Sequence, residues 1–252
     1  MADFFVVIPA RYASVRLPGK PLRLIAGRPM IEHVYRIALD SAAEEVWIAT
    51  DDKRIEAAAQ EFGARVCMTR DDHLSGTERL AEVCDTLGWP DHRVIVNLQG
   101  DEPLMPPALI DECAALLDDA DVDVGTLASP LATPAELDNA NVAKVVTDRE
   151  KNALYFSRAG IPYQRDAGDL DDLAAVALRH HGIYAYRPDV LRRLIAAGPC
   201  ELERIEKLEQ LRALWLGMTL RVGTASVRPG QGVDTEDDLA AVEAAIKKTD
   251  LH

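Results

Sequence analysis

The 252-residue chain is expected to fold as an α/β protein, with a mostly parallel sheet, helices on both faces and a smaller mixed α/β lobe. Three observations lead there. A short apolar, β-branched run at residues 4–8 has the pattern of a strand buried on both faces, and further short strands read at 46–49, 65–68 and 94–98. Helix-period stretches separate them, and strand–helix alternation builds parallel sheets. From Asp123 the rhythm changes to strands with no long helix between them.

In order, the first strand (Phe4, Phe5, Val6, Val7, Ile8) is expected to end at Pro9, since proline cannot donate to a ladder. Pro29 suits the first position of a helix through Met30, Ile31, Val34, Ile37 and Ala38. A strand at 46–49 ends at Thr50-Asp51-Asp52, and a helix at 55–62 is stopped by Gly63. The strand at 65–68 precedes a helix that starts at Ser75-Gly76-Thr77 and runs through Leu80, Val83 and Cys84. The strand at 94–98 leads into Gln99-Gly100-Asp101-Glu102-Pro103, then a helix from Pro106 or Pro107. Beyond it, strands are expected at 124–131, 142–147, 153–157, 182–186 and 220–227, and an acidic loop at 168–172. Helices are expected at 190–196, 203–216 and 235–248. Residues 1–130 then form a nucleotide-binding lobe completed by 226–252, and residues 131–225 a second lobe for an acceptor and for dimerisation. Leu208, Leu211, Leu214 and Trp215 recur at helical spacing and read as core.

Charge is unevenly placed. The chain carries 28 Lys+Arg against 42 Asp+Glu, a net −14, yet no acidic residue occurs from Phe4 to Ile31. That stretch holds Arg11, Arg16, Lys20, Arg23 and Arg28, and its loop follows the first strand, on the edge where open α/β sheets bind ligands. A phosphate site is expected there, although neither the dinucleotide-binding nor the P-loop glycine pattern is present. Asp101, just past a strand end, suits a hard cation such as Mg²⁺ that takes carboxylate and phosphate oxygens; capping the next helix is the competing role. Asp234 is likewise a candidate second carboxylate or an ordinary helix cap. Ser75 and Glu78 have capping-box spacing at a helix start that could also meet an anion.

The stretch Pro9-Ala10-Arg11-Tyr12-Ala13-Ser14-Val15-Arg16-Leu17-Pro18-Gly19-Lys20-Pro21-Leu22 resembles the nucleotide-binding loop of sugar nucleotidyltransferases, with Val15 where threonine is usual. Five further segments match in order: residues 70–79, 97–103, 179–186, 207–215 and 232–235. The nearest likeness is to the sugar-acid cytidylyltransferases. It implies a Rossmann-like nucleotidyltransferase sheet. It also implies Asp101 and Asp234 as Mg²⁺ ligands, and Arg11 and Lys20 beside them as catalytic cations. Pro9, Ala10, Arg11, Arg16, Lys20, Arg70, Ser75, Gly76, Gln99 and Asp101 would bind the nucleotide. Arg79, Gln99, His180, Tyr184, Glu209 and Gln210 would bind the sugar acid. Leu74 replaces a commoner glutamine, and His181, where an apolar residue is usual, receives no role. Glu102 is either a support for the metal ligands or structural.

The implied reaction is transfer of CMP from CTP to the anomeric hydroxyl of 3-deoxy-D-manno-octulosonate (Kdo), with release of pyrophosphate, for lipopolysaccharide synthesis. A related sugar acid as acceptor, sialic acid or an amino form of Kdo, and a non-catalytic nucleotide-binding module are the alternatives. Composition narrows the rest: 48% hydrophobic and 28% charged residues suit a globular enzyme. The pI near 4.8 disfavours nucleic acid as a partner. No apolar run reaches the ~18 residues of a membrane span. No secretory signal is recognised, and Cys67, Cys84, Cys113 and Cys200 lack metal or disulfide spacing, so a reducing cytoplasm is expected; the resemblance implies a homodimer.

Overall fold

A computed structural model describes residues 3–13, 16–165 and 176–249. Ser14, Val15 and the expected acidic loop at 168–172 lie outside the described residues. The parallel part of the sheet is built from β1 (Phe4–Ala10), β4 (Glu45–Thr50), β5 (Arg65–Met68) and β6 (Val94–Asn97). Among the described residues nine strands form one sheet, whose main path runs β11-β7-β10-β6-β1-β4-β5. Here β7 is Val124–Pro130, β10 is Leu178–Tyr186 and β11 is Leu220–Thr224. The strand β10 is antiparallel to both β6 and β7 and sits between them. The stretch assigned to the second lobe therefore supplies a central strand of the sheet it shares with the first. The pair β8 (Lys144–Thr147) and β9 (Ala153–Ser157) extends from β10. A separate two-stranded hairpin, β2 (Leu24–Ile25) with β3 (Arg28–Pro29), lies in the basic segment.

The alternation along β1 fills two cores. Phe4, Val6, Ile8 and Ala10 pack on one face, with α1 (Met30–Leu39), α2 (Lys53–Glu61) and α4 (Pro107–Ala115). Phe5 and Val7 pack on the other, with α3 (Gly76–Leu87) and α6 (Pro188–Ala197). The short α5 is Ala135–Asp138. A third cluster joins Leu17, Ile25 and Met30 of the basic segment to Val233, Leu239 and Val242. The last helix, α9 (Glu236–Thr249), thereby returns onto the loop that follows the first strand.

Several expectations are corrected. β1 runs through Pro9 to Ala10, pairing with Ala49 and Thr50. The carbonyl of Val7 accepts from Leu98 N at 3.1 Å, and pairing with β6 stops at Val7. Pro9, two residues on, turns its missing N–H to that same side, where no ladder bond is lost. Pro29 is the residue before α1 rather than its first residue, because Arg28 and Pro29 are held in the hairpin. The helix expected at 203–216 is two helices, α7 (Glu201–Glu206) and α8 (Leu211–Trp215). Lys207 lies between them at φ 54. Arg158 Nε donates to the Glu206 carbonyl at 2.8 Å, removing it from the helical ladder. β10 begins at Leu178, not at 182, and β11 ends at Thr224. Trp215, expected in the core, is the last residue of α8 and is 56% exposed.

The return of the C-terminal segment depends on close approach. A Cβ on Gly230 would lie 2.5 Å from Leu104 Cβ. Gly230→Ala is therefore expected to destabilise the fold by about 1–3 kcal/mol, read as a lower urea midpoint; an unchanged midpoint would contradict the packing of this segment.

Candidate active site

The parallel strands end on one edge, and a cavity of about 730 Å³ opens there. Pro9, Ala10, Arg11, Ala13, Arg16, Lys20 and Pro21 line it from the loop after β1, with Met30 beside them. His73, Ser75, Gly76 and Arg79 come from the approach to α3 and its first turn. Gln99, Gly100 and Asp101 follow β6, and Asp234 precedes α9.

At the floor the two aspartates meet one ammonium. Lys20 Nζ donates to Asp101 Oδ2 at 2.6 Å, to the Val233 carbonyl at 2.7 Å and to Asp234 Oδ1 at 3.0 Å. These contacts occupy its three donors. Burial opposes the charge on Lys20, but the ion pairs with Asp101 and Asp234 outweigh it and raise its pKa above the ordinary lysine value. Arg16 reaches Asp234 Oδ1 from the solvent side at 2.9 Å. Val233 N donates to the Asp101 carbonyl at 2.9 Å, fixing the two segments to each other.

The helix-cap roles considered for these residues fall elsewhere. Asp238 N donates to Thr235 Oγ1, and Asp238 Oδ2 accepts from the backbone of Asp234 and Thr235. Thr235 and Asp238 thus cap α9, which leaves the Asp234 carboxylate for the cavity. At α3, Ser75 Oγ accepts from Glu78 N at 3.3 Å and donates to Glu209 Oε1 at 2.9 Å. The reciprocal bond of the box goes to Leu74 N rather than Ser75 N. Glu102 lies behind Asp101, and a Cβ on Gly232 would come within 2.8 Å of its Oε1. Burial and the neighbouring Asp101 and Asp234 charges push the Glu102 carboxyl up to about 8.

Arg79 is buried under the cavity wall. Its Nη1 donates to Thr69 Oγ1, and its Nη2 lies 3.3 Å from Asp51 Oδ2. Arg70, expected at the nucleotide, is solvent-exposed and paired with Asp72 at 3.0 Å, outside the cavity lining. His180, Tyr184, Glu209 and Gln210 also lie outside that lining, and Glu209 reaches its rim through Ser75. The rings of His180 and Tyr184 pack at 5.4 Å between centroids with their planes tilted by 46°. The Thr126 hydroxyl donates to the Ile183 carbonyl at 2.7 Å. Its oxygen therefore accepts from His180 Nε2 at 3.0 Å, which assigns the ring proton to Nε2. Burial holds His180 neutral, lowering its pKa to about 3. Gln210 is buried, with its Nε2 unpartnered among the described residues.

Met30, His73 and Gly100 line the cavity without having been assigned a role. His73 is fixed by Glu82 and by Glu78, contacts created only when the loop folds back on α3.

The sequence model of the cytidylyltransferase family matches residues 5–220. The chain is 52% identical over 251 residues to a protein of Halorhodospira halophila named 3-deoxy-manno-octulosonate cytidylyltransferase, covering 98% of each. It is 51% identical to the protein of that name from Actinobacillus pleuropneumoniae, covering 95% of this chain and 98% of the other. Among solved structures, one described as CMP:2-keto-3-deoxy-manno-octonic acid synthetase complexed with CTP superposes with a TM-score of 0.90 at 43% identity. The match covers 98% of this chain and 100% of that one. A Leptospira borgpetersenii cytidylyltransferase at 16% identity and a TM-score of 0.64 shares the fold.

Glu102 gives a signed pH dependence. Its carboxyl keeps its proton in the folded state up to about 8, whereas the unfolded chain releases it near the ordinary glutamate value. Stability from this group is therefore full below that ordinary value and is lost as pH rises toward 8. Glu102→Gln is expected to gain thermal midpoint over the parent as pH is raised from about 5 to about 8. A constant difference across that range would contradict the assignment.

Proposed function

Since the chain belongs to the cytidylyltransferase family, we propose that it transfers CMP from CTP to the anomeric hydroxyl of Kdo, giving CMP-Kdo and pyrophosphate. The observation that carries this reading is the convergence of Asp101 and Asp234 on one cation position at the floor of a cavity rimmed by Arg11 and Arg16. The names of the relatives that match over nearly the whole chain supply the base and the acceptor. Asp101 Oδ2, Asp234 Oδ1 and the Val233 carbonyl form an all-oxygen donor set around a single point. Such a set fits a hard divalent ion such as Mg²⁺, whose remaining ligands are phosphate oxygens and water. Among the described residues no cluster of three acidic, histidine or cysteine side chains stands ready for a metal, so the triphosphate completes the shell. Bound there, the ion would polarise the α-phosphate and offset the charge that develops on pyrophosphate.

The chain's own groups do the rest by position and charge. Arg11 and Arg16 receive the triphosphate. Lys20 has all three N–H bonds on protein oxygens, so it reaches a phosphate by giving up one of these contacts; if it leaves Asp101 and Asp234, both carboxylates are free for the ion. Ser75, Gly76 and Gln99 lie where base and ribose would rest, and Arg70 would have to swing in from solvent to join them. Arg79, Gln99, His180, Tyr184, Glu209 and Gln210 form the acceptor side, with neutral His180 as a hydrogen-bonding rather than an ionic group. The hydroxyl of Kdo attacks the α-phosphorus in line with departing pyrophosphate. On this reading residues 1–130 and 226–252 serve the nucleotide, and 131–225 the acceptor and a homodimer contact. The enzyme works in the cytoplasm, and its product enters lipopolysaccharide synthesis.

The test is pyrophosphate release with CTP, Kdo and Mg²⁺, in parallel with ATP, UTP or sialic acid. Fast release in the first mixture alone supports the reading; release only with another sugar acid moves the acceptor, and silence in every mixture overturns it. Asp101→Asn is expected to lower turnover by roughly two orders of magnitude or more with an unchanged thermal midpoint. Near-parental turnover would remove Asp101 from the mechanism.

A further inference from the structure

We propose that Tyr12 and Arg54 form a fastening that holds the cation-bearing loop in its binding shape, making both of them positioning residues for Arg11, Arg16 and Lys20. Neither side chain lines the cavity. The loop leaves β1 at Ala10 and comes back on itself at Gly19, where Gly19 N donates to the Tyr12 carbonyl at 3.3 Å. Gly19 has φ +66, and a Cβ there would sit 3.1 Å from Cζ and from the hydroxyl oxygen of Tyr12. The next residue is Lys20, so the place of the Tyr12 ring governs where that ammonium begins.

The ring is itself held. Arg54 Cζ lies 3.3 Å from its centroid, a cation against an aromatic face. Arg54 is anchored in turn: Nε and Nη2 donate to the two carboxylate oxygens of Asp52 at 2.9 and 2.6 Å. Asp52 caps α2, accepting from Arg54 N at 2.8 Å. An unbroken series of contacts thus runs from the start of α2 through Asp52, Arg54, Tyr12 and Gly19 to Lys20. Loss of this restraint would widen the range of shapes open to the segment that carries Arg11 and leads to Lys20, and ordering it on binding would then weaken the ligand's hold.

The inference rests on the proposed function only in its choice of CTP as probe, so the experiment has one arm without ligand. Arg54→Ala, Arg54→Lys, Tyr12→Phe, Tyr12→Ala and the double alanine variant are compared with the parent. Hydrogen exchange at the Gly19 amide is measured on the free protein, and CTP affinity by calorimetry. Arg54→Ala is expected to speed Gly19 exchange and weaken CTP about threefold. The KM for CTP should rise while that for Kdo stays put. Tyr12→Phe should retain the parent's values, and the double variant should be no weaker than Tyr12→Ala, because paired residues do not add. Arg54 is mostly exposed, so its variants report even if Tyr12→Ala folds poorly. Unchanged Gly19 exchange in Arg54→Ala, or additive losses in the double variant, would overturn the fastening. Absence of CTP binding by the parent would instead sink the functional reading and leave the exchange result to judge the loop.

Discussion

Two carboxylates held close together need a cation between them, and the architecture of this chain answers that requirement. Asp101 arrives at the end of β6 and Asp234 just before α9, and Lys20 Nζ meets both within 3.0 Å. Like charges at this separation disfavour ionisation unless a positive group compensates. The compensation comes from a loop without acidic residues in a chain of net charge −14. Asp101 is fixed by the parallel sheet, and Asp234 by a segment whose glycines let it press against Leu104 and Glu102. Glu102, behind them, settles the excess negative charge differently, by keeping its proton to about 8.

The same economy of contacts joins the two sides of the cleft. Ser75 both caps α3 and donates to Glu209, which arrives from the turn between α7 and α8. That turn exists because Arg158 and Ser157, at the end of β9, bind Glu206. A strand at the periphery of the sheet therefore determines where the Glu209 carboxylate meets the start of α3. An uninterrupted helix there would have carried Glu209 along a different path.

Much of this was legible in the sequence because it is periodic or local. The buried strands, the start of α3 at Ser75 and the cationic loop all follow from residue type and spacing. Eleven of the expected site residues, Pro9, Ala10, Arg11, Arg16, Lys20, Ser75, Gly76, Arg79, Gln99, Asp101 and Asp234, line one cavity. What escaped was set by tertiary contacts. The break at Lys207 requires the Arg158 side chain from a distant strand. The passage of β1 through Pro9 requires knowing that β6 stops pairing at Asn97. The capping of α9 by Thr235 and Asp238, which frees Asp234, turns on side-chain directions that spacing alone leaves open. Arg70 shows the converse: a motif match predicts a contact, yet the side chain is paired with Asp72 in solvent.

Exchange between Lys20 and a divalent ion at the two aspartates is the claim on which the rest turns, and Mn²⁺ titration followed by electron paramagnetic resonance tests it most directly. Without CTP the parent should hold Mn²⁺ weakly, and CTP should tighten it, since coupling between two ligands is reciprocal. Lys20→Met should bind Mn²⁺ more tightly than the parent when CTP is absent. Tight binding to the parent without CTP, or no change on replacing Lys20, would contradict the exchange.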